Sequence, residues 1–341
     1  MIDVAAFTGG WNVPSAKFRV RQYVDPLARH GVRVREHAAA LGVYPPATAA
    51  WRPFWAAGTL AARLPSILRA RHTDVTLLQR EMLSTFVTLE PLTRAPRVLD
   101  VDDAIWLGRD GRAARRLAEL SDLVICGNAY IAEHFSAWTA RTALLPTAVD
   151  TDRYTANGRQ VQESEPLVVG WMGTSSNFPY LQRIERALAA VLNARRDARV
   201  LIVSDRAPDL PSLPAGRWTF EPWSSEREVA DLQSMAIGLM PLDDTPWARG
   251  KCSFKMLTYM ACGVPVVVSP VGMNVDVLAE GAVGLAATSD GEWIDALVSL
   301  LDDRQARIAM GTAGRRVAED HYSVHIVAPR LAALLSGTAR A

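Results

Sequence analysis

Short apolar runs alternate along the chain with longer stretches in which apolar residues recur every three or four positions. This alternation predicts parallel strands separated by helices, because a parallel crossover usually runs through a helix. In the first half the candidate strands are residues 2–7, 32–35, 75–78, 98–101, 123–126 and 143–145. In the second half they are residues 167–172, 199–203, 218–221, 238–241, 265–269 and 284–286. We therefore expect an α/β protein with helices covering both faces of its sheets.

Residues 155–165 form a polar stretch between the two series of strands, and such a stretch is typical of an exposed linker. We expect two Rossmann-like domains of similar size, residues 1–150 and residues 151–341. The last apolar helix, about 324–335, is expected to pack back on the first domain.

The composition is that of a globular protein with a sizeable core, since 49% of the 341 residues are hydrophobic and 21% are charged. The net charge is +1, but residues 1–72 hold ten basic and three acidic residues, a local charge of +7. That local charge falls short of the footprint of a nucleic-acid-binding protein. The three cysteines show no paired spacing, and no basic-then-apolar leader or run of about 18 apolar residues is visible. We expect a cytoplasmic protein that binds no nucleic acid.

The chain contains 37 Lys and Arg residues, yet only Lys17, Lys251 and Lys255 are lysine. An ammonium group is a compact charge that suits phosphate oxygens, whereas a guanidinium is a planar fork. Lys251 and Lys255 lie at the start of an apolar helical run, where the helix dipole also favours an anion. Our interpretation is that the lysines hold a nucleoside diphosphate; the alternative is three solvated lysines left by chance.

A second anion site is predicted where the buried strand 167–172 runs into the small residues Gly173–Asn177 and then into a helix with Pro179 in its first turn. Such a turn presents unpaired backbone N–H groups at the carboxyl edge of a sheet. The motif GxGxxG is absent, so the turn does not indicate a dinucleotide. The alternative is an ordinary strand-to-helix turn.

Residues 250–274 read GKCSFKMLTYMACGVPVVVSPVGMN, and this segment resembles the donor-binding motif of glycosyltransferase family 4. The likeness continues through residues 98–104, 145–150 and 171–181. It implies a GT-B fold, in which two Rossmann-like domains face each other across a cleft. It also implies a retaining transfer from a nucleoside-diphosphate sugar, with no cofactor beyond that co-substrate. Because the lysines and two helix N-termini are expected to face the diphosphate, we expect the transfer to be metal-independent.

The resemblance assigns most of the donor site to the second domain. The implied donor-binding residues are Gly173, Thr174, Ser175, Asn177, Arg249, Cys252, Ser253, Phe254 and Thr258, with Ser204 and Trp223 beside the base. Lys251 and Lys255, with Arg249, are expected to replace the basic pair that the family carries after the first strand of this domain.

One departure from the family pattern affects sugar recognition. Two family glutamates, eight residues apart, align with Gly250 and Thr258. Thr258 still offers a hydroxyl to the ribose, but Gly250 offers no side chain. Recognition of the sugar then falls to backbone N–H groups near residues 252–254, or to Asp243, Asp244 or Arg249.

In the first half, Gly9 and Gly10 follow a strand and resemble the glycine-rich turn of GT-B enzymes. Lys17, Arg19 and Arg21 follow that turn, and we expect the five residues to form a loop that meets the acceptor or the donor phosphates. A plain turn with solvated charges is the alternative.

Asp100, Asp102 and Asp103 cluster at the end of a strand. Carboxylates crowded at the carboxyl edge of a sheet repel one another, which raises a pKa and suits a proton acceptor or a ligand for a sugar hydroxyl. We assign Asp102 and Asp103, with Lys251 and Lys255, as the catalytic candidates. The alternatives are a metal-diphosphate site of the DxD type and a structural cap.

Trp51, Phe54 and Trp55 are interleaved with arginines. This pattern favours core packing of the aromatic rings, with the arginines reaching the solvent. A flap that touches a membrane, or a wall of the acceptor site, is the less favoured alternative.

We conclude from the sequence that the chain moves a sugar from a nucleoside-diphosphate sugar to a hydroxyl of a small-molecule or glycan acceptor. Two alternatives stay open. One is a sugar-nucleotide-binding protein without activity, which the two missing glutamates favour. The other is a GT-B-fold sugar-nucleotide epimerase, which relies on carboxylates and histidines that the sequence does not locate.

Overall fold

The computed structural model describes residues 1–156 and 166–340, and the chain divides into two compact units. Unit 1 comprises Met1–Ala148, Arg249–Cys252 and Val324–Ala341; unit 2 comprises Val149–Ala248 and Ser253–Ser323. These units differ from the expected domains 1–150 and 151–341 because two segments of the second half belong to unit 1. Residues 157–165, most of the expected linker, lie outside the described residues.

Within its described residues, unit 1 has one parallel six-stranded sheet of order β2-β1-β3-β4-β5-β6. Its strands are β1 (Ile2–Thr8), β2 (Val32–Ala38), β3 (Val75–Gln79), β4 (Arg97–Val101), β5 (Leu123–Cys126) and β6 (Thr142–Leu144). Its helices are α1 (Pro14–Arg19), α2 (Val24–Arg29), α3 (Arg52–Arg69), α4 (Arg112–Leu120), α5 (Ala129–Ser136) and, at the end of the chain, α14 (Val324–Arg340).

Unit 2 likewise contains a parallel six-stranded sheet in the part of the chain that the structure describes, with order β12-β11-β10-β7-β8-β9. Its strands are β7 (Leu167–Met172), β8 (Ala198–Ser204), β9 (Trp218–Pro222), β10 (Ile237–Met240), β11 (Val266–Val268) and β12 (Gly284–Ala286). Its helices are α6 (Phe178–Arg183), α7 (Glu185–Ala194), α8 (Glu228–Gln233), α9 (Pro246–Arg249), α10 (Phe254–Ala261), α11 (Met273–Ala279), α12 (Asp290–Asp302) and α13 (Arg304–Tyr322), although Arg249, the last residue of α9, is assigned to unit 1.

The predicted α/β class is confirmed, and each predicted strand corresponds to an observed one. The largest difference is in β2, which extends to Ala38 rather than ending at residue 35. The extension arises because β2 continues to pair with β1 as far as Ala38 and Thr8. Ladder hydrogen bonds therefore carry the strand past the point where its apolar alternation stops.

Helix α14 completes the core of unit 1. Its buried residues Val327, Leu331 and Leu335 recur every four positions and pack in the same core as Val4 and Val98. A helix with such a stripe buries it against the nearest apolar surface. That packing explains why the end of the chain belongs to unit 1.

The strand orders predict where each sheet could bind a ligand. In unit 1 the chain adds β2 on one side of β1 and then β3 on the other side. In unit 2 it adds β8 on one side of β7 and later β10 on the other, so the direction of strand addition reverses at both places. In open parallel sheets, ligands bind outside the carboxyl ends of the strands at such a reversal. In unit 1 the residues there are Gly9 and Arg80, and in unit 2 the residue after β7 is Gly173.

Candidate active site

Helix α10 in unit 2 begins at a residue held in an unfavourable backbone conformation. Ser253, its N-cap, has φ 49° and ψ 21°, in the left-handed region that residues other than glycine seldom occupy. Its hydroxyl donates to Oδ1 of Asn274 at 2.7 Å, and Nδ2 of Asn274 donates to the carbonyl of Ser269 at 2.9 Å. All three residues are buried. This network holds the first turn of α10 in one orientation.

Lys255 is the second residue of α10, and its ammonium group lies 4.8 Å from the centre of the Trp171 ring. The side chain passes over Gly173, where an added Cβ would lie 2.7 Å from Nζ and 2.6 Å from Cε. Only glycine leaves room for this path. The structure therefore brings together two of the predicted site residues, Gly173 and Lys255, and places the ammonium against the face of a buried indole, a favourable cation–π arrangement.

The turn after β7 is more fully hydrogen-bonded than the sequence predicts. The backbone N–H of Gly173 donates to Val203, that of Asn177 to Thr174, and that of Ser175 to Oδ1 of Asp205 at 2.6 Å. The prediction of unpaired N–H groups is thus wrong for these three residues. The side chain of Asn177 also donates to the Thr174 hydroxyl at 2.8 Å, so the turn is a rigid polar platform.

Asp205 organises this platform. Its carboxylate accepts from the Ser175 hydroxyl at 2.7 Å and from the Ser204 hydroxyl at 3.2 Å. Although partial burial opposes the effect, these hydrogen bonds lower the pKa of Asp205, so it is ionised at neutral pH.

The expected base-binding residues also lie together. Ser204 ends β8 opposite Pro222 of β9, and the N–H of Trp223 donates to the Ser204 carbonyl at 2.8 Å. The Trp223 side chain is 46% exposed. A half-exposed indole at a sheet edge offers a face on which an aromatic base can stack.

The two positions that depart from the family pattern have structural explanations. Thr258 is buried, and its hydroxyl donates to the carbonyl of Lys255 at 2.8 Å. The hydroxyl can therefore accept a hydrogen bond from a ribose but has no proton left to donate. A Cβ at Gly250 would lie 2.7 Å from both the backbone N and the Cβ of Ala104 in unit 1. A glutamate at position 250 would require the backbone to move.

The segment Arg249–Cys252 is held inside unit 1 by Asn128. The Nδ2 group of Asn128 donates to the carbonyls of Arg249 and Lys251 at 3.1 and 3.0 Å, while its Oδ1 caps α5 by accepting from Ile131. One buried side chain thereby fixes the backbone on both sides of Gly250.

Cys252 strengthens the same attachment. Its thiol donates to the carbonyl of Asp102 at 3.1 Å, and a Cβ at Gly127 would overlap its sulfur. Burial raises the pKa of the Cys252 thiol, which therefore stays protonated and remains a donor. The side chain of this predicted donor-binding residue is thus a structural contact of unit 1.

Arg19 and Asp100 form a buried ion pair, which corrects one prediction and bears on one alternative. The Arg19 guanidinium donates from Nε and Nη2 to the Asp100 carboxylate at 2.9 and 2.5 Å, and both side chains are almost inaccessible. Arg19 also donates to the Leu145 carbonyl and the Thr147 hydroxyl. It is therefore not a residue of the acceptor or phosphate loop, and Asp100 is not available as the first ligand of a DxD metal site.

Asp102 and Asp103 lie beside a residue that the sequence analysis missed, Arg80. Nη2 of Arg80 lies 3.1 Å from Oδ2 of Asp103, and its Nε lies 3.7 Å from Oδ1 of Asp102. Burial raises the pKa of Asp103 to about 6; the charge of Asp102 adds to this, while Arg80 and Lys251 oppose it. The pair of carboxylates with Arg80 and Lys251 forms a charged cluster near the reversal point of the unit 1 sheet.

In the predicted loop at Gly9 and Gly10, the nearby basic side chains contact other residues of unit 1. Gly10 has φ 130°, a value that favours glycine. Arg21 donates to both oxygens of Glu36 at 2.8 Å, and its guanidinium stacks 4.4 Å from the Trp11 ring. Arg21 therefore orders the loop, while the Lys17 ammonium lies 5.0 Å from the Phe18 ring.

Arg80 and Asn128 were found only through the structure. Each follows the carboxyl end of a parallel strand, Arg80 directly after β3 and Asn128 two residues after β5. A systematic search for polar residues just after predicted strands would have found both.

Comparisons with known proteins agree with this architecture. A family model described as "Glycosyl transferases group 1" matches residues 166–303. A D-inositol 3-phosphate glycosyltransferase of Corynebacterium aurimucosum is 26% identical over 61% of this chain, and the match spans only 54% of that relative. A GDP-mannose-dependent alpha-(1-6)-phosphatidylinositol monomannoside mannosyltransferase of Mycolicibacterium smegmatis is 27% identical over 93% of this chain and 87% of its own length.

Two solved structures show the fold. A sucrose-phosphate synthase of Thermosynechococcus elongatus superposes with a TM-score of 0.75 at 16% identity, covering 99% of both chains. The HepE protein of Anabaena in complex with UDP-glucose gives a TM-score of 0.70 at 15% identity, covering 99% of this chain and all of that one. The protein thus has the GT-B fold of glycosyltransferases, as predicted. The match of residues 166–303 to the group 1 glycosyl transferase model confirms the resemblance found in the sequence.

Proposed function

We propose that this protein transfers a sugar from a nucleoside-diphosphate sugar to an acceptor hydroxyl with retention of configuration. The observation that carries the proposal is the placement of Lys255, whose ammonium is held by Trp171 and the bare backbone of Gly173 in the first turn of α10. A cation so held at a helix N-terminus suits a diphosphate leaving group. The names of two compared proteins, one dependent on GDP-mannose and one in complex with UDP-glucose, support a donor of this class.

Unit 2 is proposed to bind the donor. Trp223 stacks on the base, Ser204 lies beside it, and Thr258 accepts a hydrogen bond from the ribose. Lys255 neutralises the charge that develops on the diphosphate. Because Gly250 has no room for a side chain, the sugar is recognised by backbone groups near residues 252–254.

Unit 1 is proposed to bind the acceptor. Asp103, ionised above about pH 6, accepts a hydrogen bond from the acceptor hydroxyl, while Arg80 holds the carboxylate in place. Lys17, in the glycine-rich loop region, is the candidate contact for an anionic group of the acceptor. Lys251 belongs to this same unit and limits the negative charge around Asp102 and Asp103.

In the proposed reaction the bond between C1 of the sugar and the phosphate oxygen breaks, and the acceptor oxygen bonds to C1 on the same face. The proton of the acceptor hydroxyl passes to the departing phosphate oxygen. No protein nucleophile is consumed, and the products are the glycoside and the nucleoside diphosphate.

The test is a matrix of donors and acceptors. UDP-glucose and GDP-mannose are each incubated with D-inositol 3-phosphate, the acceptor named for one relative, and with no acceptor. Acceptor-dependent release of nucleoside diphosphate, with a product of the donor's anomeric configuration by NMR, is the expected result. An inverted product would overturn retention.

One other function is favoured by a specific observation. The missing side chain at Gly250, enforced by Ala104, removes the family's contact with the donor sugar and suits a protein that binds a sugar nucleotide without turning it over. Stabilisation by nucleotides without product in any donor-acceptor combination would support that alternative. An epimerised sugar nucleotide would instead support the epimerase.

A further inference from the structure

Helix α3 of unit 1 presents an apolar stripe to the outside. In the turn that precedes it, Trp51 is 64% exposed, and on the helix Phe54, Leu64 and Leu68 are 73%, 44% and 54% exposed. With the exposed alanines at positions 57 and 61, the helical members are spaced by three or four residues and therefore share one face. The neighbouring loop adds exposed Leu41 and Tyr44. We call the set Trp51, Phe54, Leu64 and Leu68 the α3 stripe.

The opposite face of α3 is buried, and polar contacts hold part of it. Arg63, only 4% exposed, donates to the carbonyls of Thr8 and His37 at 2.7 and 2.8 Å. Thr59, one turn earlier, is buried as well. Ile67 is buried on this face too, but the α3 stripe faces outward, unlike the apolar face of an ordinary surface helix, which packs inward. The contacts of Arg63 fix the rotation of α3, so the α3 stripe cannot turn toward the core without breaking them.

This arrangement corrects the sequence analysis, which favoured core packing of these aromatic residues. Trp51 and Phe54 contact each other, with ring centres 6.0 Å apart, but both remain exposed. Only Trp55 is half-buried, and its indole N–H donates to the Leu41 carbonyl at 3.0 Å, which ties the exposed loop to the helix.

The charged residues of α3 and of the sequence on either side of it have one sign. No Asp or Glu occurs between Glu36 and Asp74, a span that includes the whole of α3. Exposed Arg52 lies at the start of the helix, and exposed Arg69 and Arg71 lie at its end. An exposed apolar stripe on a helix about 27 Å long with cationic ends has the character of a helix that lies in the plane of a membrane interface.

We propose that α3 docks unit 1 on the surface of a bilayer containing anionic phospholipid. The α3 stripe enters the region between headgroups and acyl chains, and the three arginines contact lipid phosphates. None of the helices in residues 1–156 and 166–340 is long and apolar enough to cross a bilayer. The contact is therefore peripheral and reversible, and it depends on ionic strength because exposed charges are screened by salt.

The test is cosedimentation of the full chain with vesicles of phosphatidylcholine alone and of phosphatidylcholine mixed with phosphatidylglycerol. Binding to the anionic vesicles only, weakened by added salt, is the expected result. Two variants separate the contributions: Phe54→Gln/Leu64→Gln removes apolar contacts, and Arg69→Gln/Arg71→Gln removes charge. Each should lower the partition coefficient by about tenfold or more. Ile308→Gln, at an equally exposed apolar site on α13 of unit 2, is the matched control and should bind like wild type.

All the substituted side chains are exposed, so the variants are expected to fold, and circular dichroism checks this. A failure of the wild-type chain to bind anionic vesicles would overturn the proposal, as would variants that bind equally well. Self-association of the wild-type chain that Phe54→Gln/Leu64→Gln abolishes, without vesicle binding, would assign the face to a second copy instead. The measurement requires no turnover, so its outcome is independent of the proposed glycosyl transfer.

Discussion

The ammonium group of Lys255 lies 4.8 Å from the centre of the Trp171 ring. Trp171 is 1% exposed and belongs to β7, so the lysine rests on a rigid part of the unit 2 core. A cation positioned before the substrate arrives requires no reorganisation when charge develops in the reaction.

Replacement of Lys255 by Ala should lower kcat by about 100-fold or more, because a charge aimed at the leaving group is lost. Lys255→Arg should rescue little, since a planar guanidinium does not fit between Trp171 and Gly173 as a compact ammonium does. Steady-state kinetics with the best donor and acceptor measures both. Arg186→Ala, an exposed change on α7, is the control, and full activity of Lys255→Ala would contradict the assignment.

Gly173→Ala tests the same arrangement from the backbone side. The new methyl group would lie 2.6 Å from Cε of Lys255 and 2.9 Å from the ring of buried Trp171, so the ammonium and the ring must both shift. We expect reduced kcat and a lowered Tm. In a double-mutant cycle, Gly173→Ala should have little further effect once Lys255 is alanine. Additive losses would show that Gly173 acts independently of the lysine.

The pKa of Asp103, raised to about 6, predicts an acidic limb in the pH dependence of kcat/KM. Activity should rise through about pH 6, as the carboxylate ionises and can accept a hydrogen bond from the acceptor. Asp103→Asn should remove this limb and lower turnover, with nucleotide Kd nearly unchanged. The same limb in Asp103→Asn would assign the titration to another group.

The same titration of Asp103 should lower the free energy of unfolding as the pH rises, whereas it should raise activity. Because its folded-state pKa is raised above the ordinary value of 3.8, the stability it contributes is present below about pH 4 and is lost as the pH rises through about 6. Denaturant unfolding across this range should show a decline for the wild type that Asp103→Asn lacks. An identical pH dependence in the two proteins would contradict the raised pKa.

Ser253 combines backbone strain with a buried hydrogen bond, and two variants separate them. Ser253→Ala keeps the left-handed backbone and leaves Oδ1 of Asn274 without its hydroxyl donor, so it should cost about 1–3 kcal/mol. Ser253→Gly also loses the hydrogen bond but relieves the strain, and should be more stable than the alanine variant by about 1 kcal/mol. Chemical denaturation measures both. An alanine variant as stable as the glycine variant would show that the backbone is not strained.

Transfer activity should survive EDTA. The structural reason is that Asp100, the first carboxylate of the D-x-D sequence, is held in a buried ion pair by Arg19. Lys255 is proposed to supply the positive charge at the diphosphate instead. Assays with and without chelator, followed by addition of Mn²⁺ or Mg²⁺, decide the point. Loss of activity that a divalent ion restores would require Asp102 and Asp103 to be reassigned as metal ligands.

The sequence by itself determined the α/β class, the strands and helix α10. Apolar alternation and helical periodicity are local properties of the sequence. Each helix or strand is stabilised mainly by burial of the apolar residues in these patterns. The segment from Gly250 to Asn274 likewise carried the resemblance to glycosyltransferases, because its residues are close together along the chain.

Tertiary structure alone decided which charged residues are structural. Arg19 and Asp100 pair across 81 residues, and Asn128 holds Lys251 across 123. No local pattern distinguishes these residues from solvated ones such as Arg186, because burial of a charge depends on what the remote chain brings to it. The exposure of Phe54 was also decided by tertiary structure. The apolar periodicity of α3 shows only which residues share a face. The contacts of Arg63 with Thr8 and His37 determine which face points outward.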